Sequence, residues 1–212
     1  MAPQSAEGRT PGRANQKLRT RTAIVQAAAE LSRTGREVTM PEVAKAALVS
    51  EATAYRYFPD LVSLLREAIV GQLPSAAEAL EPVADSADPV ERVATATEFL
   101  LRHVLARQGV VRAMIAATVT RPAEAAARPG LRFGLIDHAL APPAEPVTDD
   151  PATLDQLKRD LSVVVSAEAL FGLTDLHGLA PEDAITSIVH TATTLTRAAL
   201  RETGESRGGP GS

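Results

Sequence analysis

Residues 38–58 read VTMPEVAKAALVSEATAYRYF, and the reading of this stretch decides the fold. Its spacing predicts two short helices joined by a tight turn. Thr39 is placed to cap the first, because its hydroxyl can accept from an orphan backbone N–H. Pro41 falls in the first turn, where its missing donor costs little, and Glu42 sits at the positive end of the helix dipole. Val43, Ala44 and Ala47 form a small apolar face, and Val49 follows as an anchor. Ser50 caps the second helix, with Thr53 and Ala54 one turn on. That second helix carries Glu51, Thr53, Tyr55, Arg56 and Tyr57. An amphipathic pair with a bulky polar outer face is suited to a DNA major groove.

Charge around the stretch points the same way. Residues 1–57 hold nine Lys/Arg against five Asp/Glu, leaving thirteen against twenty-one in the remainder. A basic front end on an acidic body is expected where only the front end meets a polyanion. The five basic residues from Arg9 to Arg21 have no acid among them. Phosphate contacts from such a run add affinity but little sequence information.

Composition sets the outer limits. Of the 212 residues, 45% are hydrophobic and only 3% aromatic, so the core must come from Leu, Val, Ile and Ala. That balance favours helices over sheet. With no Cys, disulfides, thiolate metal sites and cysteine nucleophiles are excluded. No 18-residue apolar run and no signal-peptide core occur, so a cytoplasmic protein is expected.

Residues 1–15 lack periodicity and are expected to be a disordered basic arm. A helix over about Gln16–Thr34 follows, with Ile24, Ala27, Ala28 and Leu31 on one stripe and Gly35 past its end. Pro59 ends the helix of about Ser50–Phe58, and Asp60 caps the next, about Leu61–Leu73.

The pattern Ile24 to Leu31, then Gly35, Val38-Thr39, Val43-Ala44, Ala47, Val49-Ser50, Thr53, Tyr55 to Phe58 and Leu64 resembles the N-terminal DNA-binding domain of the TetR family of transcriptional regulators. The resemblance spans roughly residues 18–65. It implies that Thr53, Tyr55 and Tyr57 touch the DNA backbone and that Glu51, Ala52 and Arg56 face base edges. Thr39 caps its helix and approaches a phosphate. With Ser50, Arg19 and Arg21, these complete the expected DNA-binding set. Two positions depart from the family: Leu48 stands where Gly is usual in the turn, and Leu61 where a Lys is frequent. Residues 16–73 are thus expected as a helix-turn-helix domain with its connecting helix.

Beyond it, residues 74–202 are expected to form a helical effector-binding and dimerisation domain, and 203–212 a disordered tail, giving an all-α chain of about nine helices. Periodicity predicts helices at about Pro89–Gln108, Val110–Thr120, Leu131–Leu140, Ala152–Leu176 and Pro181–Glu202, with a loop over 141–151. The run Leu161–Leu173 is apolar nearly all round and must be covered on several sides. In the TetR family the two C-terminal helices pair with their copies. The resemblance therefore implies a homodimer through Val164, Glu168, Phe171, Ile188, Ala192, Leu195 and Ala199; the lesser alternative is that both helices are the core of a monomer. A dimer would present two reading heads to a palindromic operator. The resemblance also implies a small-molecule site. Its candidate lining is Phe99, His103, Met114, Phe133, His138 and Phe171, the bulky or polar residues on otherwise aliphatic helices.

The reading is thus a ligand-responsive DNA-binding repressor, with no cofactor and no metal. An all-helical enzyme would need a catalytic cluster, and no HExxH, GxSxG or Gly-rich phosphate loop is present. An all-helical interaction adaptor is the other alternative, and the basic front end and polar third helix argue against it.

Overall fold

The computed structural model describes residues 11–70, 74–120 and 130–207, all helical or irregular, with no strand among them. Helix α1 spans Pro11–Ser32, α2 Met40–Ala46, α3 Glu51–Tyr57 and α4 Leu61–Val70. A short α5 (Ala76–Ala79) and a 3₁₀ turn (Glu81–Val83) lead to α6 (Pro89–Ala106), α7 (Gln108–Thr120) and α8 (Leu131–Ala139). Then come α9 (Pro151–Val164), α10 (Ala167–Phe171), a π-helical turn (Gly172–Leu176) and α11 (Pro181–Arg207).

Buried side chains form two clusters. The N-terminal one joins Ile24 and Ala28 of α1, Val43 and Ala44 of α2, Ala54 of α3, Phe58, and Leu64 and Leu65 of α4. The C-terminal one joins Leu100 and Leu101 of α6, Leu135 of α8, Leu161 of α9, Leu170 of α10, and Ile185, Ile188 and Ala192 of α11. Helices α6 and α11 form its principal pair. Ala184 and Ala192 of α11 are fully buried, and such small side chains let two helices approach closely. Each fully buried Leu in these clusters contributes about 1.5–3 kcal/mol relative to exposure. Helix α7 bridges the two, since its Val110 and Met114 belong to the N-terminal cluster while Val111 and Ile115 pack on the C-terminal one.

Several boundaries differ from the sequence reading. Helix α1 starts at Pro11, so the irregular arm cannot extend to residue 15; proline at a first helical position forfeits no hydrogen bond. Residues 1–10 of that arm, and 208–212 of the expected tail, lie outside the described residues. Helix α11 continues to Arg207, five residues beyond the expected end at Glu202. The single helix expected over Ala152–Leu176 is three pieces. It breaks at Val165, whose ψ of 70° leaves the helical region. Ser166 then restarts the chain, its hydroxyl accepting from the Ala169 N–H at 3.1 Å. Three consecutive valines, stiff at χ1 and less suited to helix, precede this N-cap. Among the described residues no helix is long and apolar enough to cross a membrane.

Candidate nucleic-acid interface

The reading head is built from local signals. Thr39 and Glu42 form a capping box: the Glu42 N–H donates to the Thr39 hydroxyl, and the Thr39 N–H donates to the Glu42 carboxylate at 3.0 Å. Bonds from the Thr39 hydroxyl, then from its N–H, hold the Glu42 carboxyl below its usual range. Helix α2 ends in a Schellman arrangement, with the Leu48 N–H donating to the Lys45 carbonyl and the Val49 N–H to that of Ala44. This places Leu48 at φ 56°, the left-handed region normally given to glycine, with its side chain 92% exposed. Leu48 therefore takes the glycine conformation without glycine's freedom. Ser50 caps α3 by accepting from the Thr53 N–H at 3.2 Å, and the two hydroxyls lie 2.9 Å apart.

Helix α3 turns Ala54 fully inward, and Phe58 is buried just beyond its end. The opposite side presents Glu51, Ala52, Tyr55 and Arg56 to solvent. Tyr55 is half exposed, and the Arg56 guanidinium lies 5.7 Å from the Tyr57 ring centroid. Thr39, Thr53 and Tyr57 are partly buried at the edge of this surface, while Ser50 is open. These side chains offer hydroxyl donors for phosphate oxygens and one guanidinium able to pair with a guanine edge. Arg19 is exposed on α1. Arg21 is placed otherwise, its guanidinium bonded to Glu67 and lying over Phe58.

Residues 24–68 match the family described as bacterial regulatory proteins, tetR family. Over these residues the chain carries the N-terminal domain of the TetR family of transcriptional regulators. It is similar to a solved TetR transcriptional regulator from Rhodococcus sp. RHA1, with 25% identity, a TM-score of 0.50, and coverage of 85% of this chain and 97% of that one. None of the curated proteins matches it. The α2–α3 pair is the family's DNA-binding helix-turn-helix, and the match to residues 24–68 covers α2, α3, the C-terminal part of α1 and most of α4.

The side chains expected to line an effector site stand in several different surroundings. Phe99 and His103 stack one turn apart on α6, ring centroids 6.3 Å apart. Phe171 is buried, with the Arg112 guanidinium 3.8 Å from its ring centroid and paired to Asp175. Met114 packs in the N-terminal cluster, away from the others. Phe133 is half exposed beneath Arg132. His138 contributes its carbonyl to a buried Arg92.

His103 has a definite electronic state. Its Nδ1 lies 3.2 Å from Nη1 of Arg107. A guanidinium only donates, so Nδ1 accepts and the proton sits on Nε2. That Nε2 is buried with no partner among the described residues. Burial, then the charge of Arg107, lowers the pKa to about 4.

Of the expected dimer residues, Phe171, Ile188, Ala192 and Ala199 are buried in the protomer's own C-terminal cluster. Val164 and Leu195 are partly buried and Glu168 is exposed beside Arg132. The apolar stripe of α11 thus faces α6, its partner inside the chain.

Sequence reading missed two residues. Arg92, 1% exposed, donates to the carbonyls of Ala139, Val83, Ala84 and His138. Its signal was a lone cation between Pro89 and Ala96 on an apolar helical stripe. Gly109, at the start of α7, lies against the backbone of Arg36, and no local pattern marks it.

Proposed function

We propose that this TetR-family regulator is a homodimeric repressor that binds a palindromic operator and leaves it when a small molecule occupies the C-terminal helices. The observation that carries the DNA-reading part is the outward row of α3: Glu51, Ala52, Tyr55 and Arg56 stand in solvent on a helix whose only buried residue is Ala54. A surface helix with no packing use for its bulky side chains is suited to a groove. In this reading residues 16–73 form the DNA-binding unit, with Arg56 at a base edge and Tyr55 and Thr53 on phosphates. Residues 74–202 bind the effector and a second copy.

The dimer is supported by the faces that one protomer leaves open. Val163 of α9 is 72% exposed, and the outer side of α11 carries the short side chains Ser187, Thr191 and Thr194. Small residues there permit two copies to pack closely, and an isologous interface would set two reading heads about one turn of DNA apart. Release follows a population shift, in which the effector prefers the conformation whose reading heads are badly spaced.

The test is in vitro selection of a duplex from random DNA, followed by binding measured across salt. Affinity should fall steeply as salt rises, as phosphate neutralisation requires. Arg56→Ala should cost about 1–3 kcal/mol at one base pair and relax preference there. Salt-independent association would refute the DNA reading, and a concentration-independent monomer in light scattering would refute the dimer.

A further inference from the structure

Arg21 was expected on a phosphate, and its surroundings assign it another task. Its Nε donates to one oxygen of Glu67 at 3.1 Å, and Nη2 donates to the other. Its Nη1 reaches the Tyr57 carbonyl at 3.5 Å, and its Cζ lies 4.4 Å from the Phe58 ring centroid. One guanidinium therefore joins α1, the end of α3 and α4. The bidentate pair fixes the plane of the group, and the plane lies over Phe58.

Helix α3 needs such a fastening. It has seven residues and buries only Ala54 among them. Its N-terminal end is held by the Ser50 cap and by α2. Its C-terminal end is held by Phe58 in the core and by the guanidinium over it. The Tyr57 carbonyl is one of the last of the helix, at the negative end of its dipole, where a cation is favourable. A helix that reads bases must keep its angle to the domain, because a displacement of about 1 Å removes side chains from hydrogen-bond reach.

We propose that Arg21 is a positioning residue for DNA recognition, which with Glu67 sets the angle of the α3 reading helix and does not serve as a phosphate contact. This rests on the DNA-binding reading of α3. Arg21 and Glu67 are 46 residues apart and act as one unit: removing either frees the same end of the helix.

The test uses the full chain and the duplex selected by the unaltered protein, with binding followed by fluorescence anisotropy at several salt concentrations. Thermal unfolding is measured in parallel, so that every comparison is made where all variants are folded. Glu67→Gln keeps the side-chain volume and removes an anion from a protein that binds a polyanion. Electrostatics alone predicts tighter binding for it; the positioning role predicts binding weakened about tenfold. Arg21→Met keeps the aliphatic stem and should weaken binding by a similar factor, with the slope of log affinity against log salt unchanged. The double variant should bind no worse than Arg21→Met alone, as expected of two residues in one unit.

Two results would overturn the assignment. One is a slope reduced by about 0.9 in Arg21→Met, the loss of one neutralised phosphate. The other is a Glu67→Gln protein that binds as well as or better than the original. Failure of the unaltered protein to select any duplex would instead remove the DNA-binding reading, and is thereby told apart from both.

Discussion

Gly109 and Arg36 touch through their backbones at the junction of the two hydrophobic clusters. A Cβ built on Gly109 would stand 2.1 Å from the Arg36 carbonyl oxygen and 2.8 Å from the Glu37 nitrogen. Neither atom is the end of a flexible side chain, so a methyl group there must move the α1–α2 connection away from α7. Nearby, Gly35 takes φ 70° with a would-be Cβ 3.5 Å from the Ala106 carbonyl. At this point the α1–α2 connection and α7 therefore meet through main chain, beside the side-chain packing of Val110 and Met114 in the N-terminal cluster. Gly109→Ala should destabilise the protein by about 1–3 kcal/mol, as overpacking does, measured by urea unfolding. An unchanged midpoint would show that the connection moves freely on α7.

Leu48 predicts the opposite sign. A leucine at φ 56° costs roughly 1–2 kcal/mol relative to glycine, and its exposed side chain recovers little through packing. Leu48→Gly should raise stability by about 1 kcal/mol, since some of the gain is offset by glycine's greater freedom in the unfolded chain. Thermal or denaturant unfolding reads this directly. A loss of stability would mean that the leucine makes an apolar contact in the folded state.

His103 gives a pH dependence. Its pKa falls from 6.5 to about 4 on folding, through burial first and Arg107 second. Between those values the unfolded chain binds a proton that the folded one refuses, so stability rises with pH across the window. The contribution is complete above about pH 6.5 and is lost as pH falls towards 4. Because the ring is only partly buried, about 1–2 kcal/mol is expected over the window. His103→Phe should flatten that part of the stability profile, and an unaltered slope would place its origin in other groups.

Arg92 is a buried cation satisfied by helix ends. Its guanidinium closes the last carbonyls of α8 and those of Val83 and Ala84 at the end of the Glu81–Val83 turn, at 2.8–3.3 Å. Arg92→Met keeps the volume and leaves these buried acceptors without donors. The expected cost is about 3 kcal/mol or more, measured as the change in unfolding free energy. Arg92→Lys should recover part of it, since a single ammonium cannot span carbonyls from two helix ends. Near-neutral behaviour of Arg92→Met would mean that water replaces the guanidinium.

The α2–α3 unit was legible in the sequence because its instructions are local. The Thr39–Glu42 box, the Ser50 cap and the Asp60 bonds to Ser63 each span three residues. The spacing of Ile24, Ala27, Ala28 and Leu31 set the inner face of α1 within two turns. Apolar periodicity carried most of the C-terminal helices in the same way. It failed at Val165–Ser166, where a cap inside an apolar run divides the helix. It also could not say which partner receives the apolar stripe of α11, another helix of the same chain or a second copy.

The sequence by itself determined that the chain is helical, where its helix-turn-helix lies and which side chains α3 turns outward, because capping and amphipathic spacing act within one or two turns. Only the tertiary structure decided that Arg21 is bound to Glu67 and that Arg92 serves helix ends as far as 47 residues away. It likewise decided that Gly109 lies against the backbone of the α1–α2 connection, and that Ile188 and Ala192 are buried in the chain's own C-terminal cluster. These pairings depend on which surfaces meet after the helices pack, and a guanidinium or a bare Cα has the same local pattern whichever neighbour it finds.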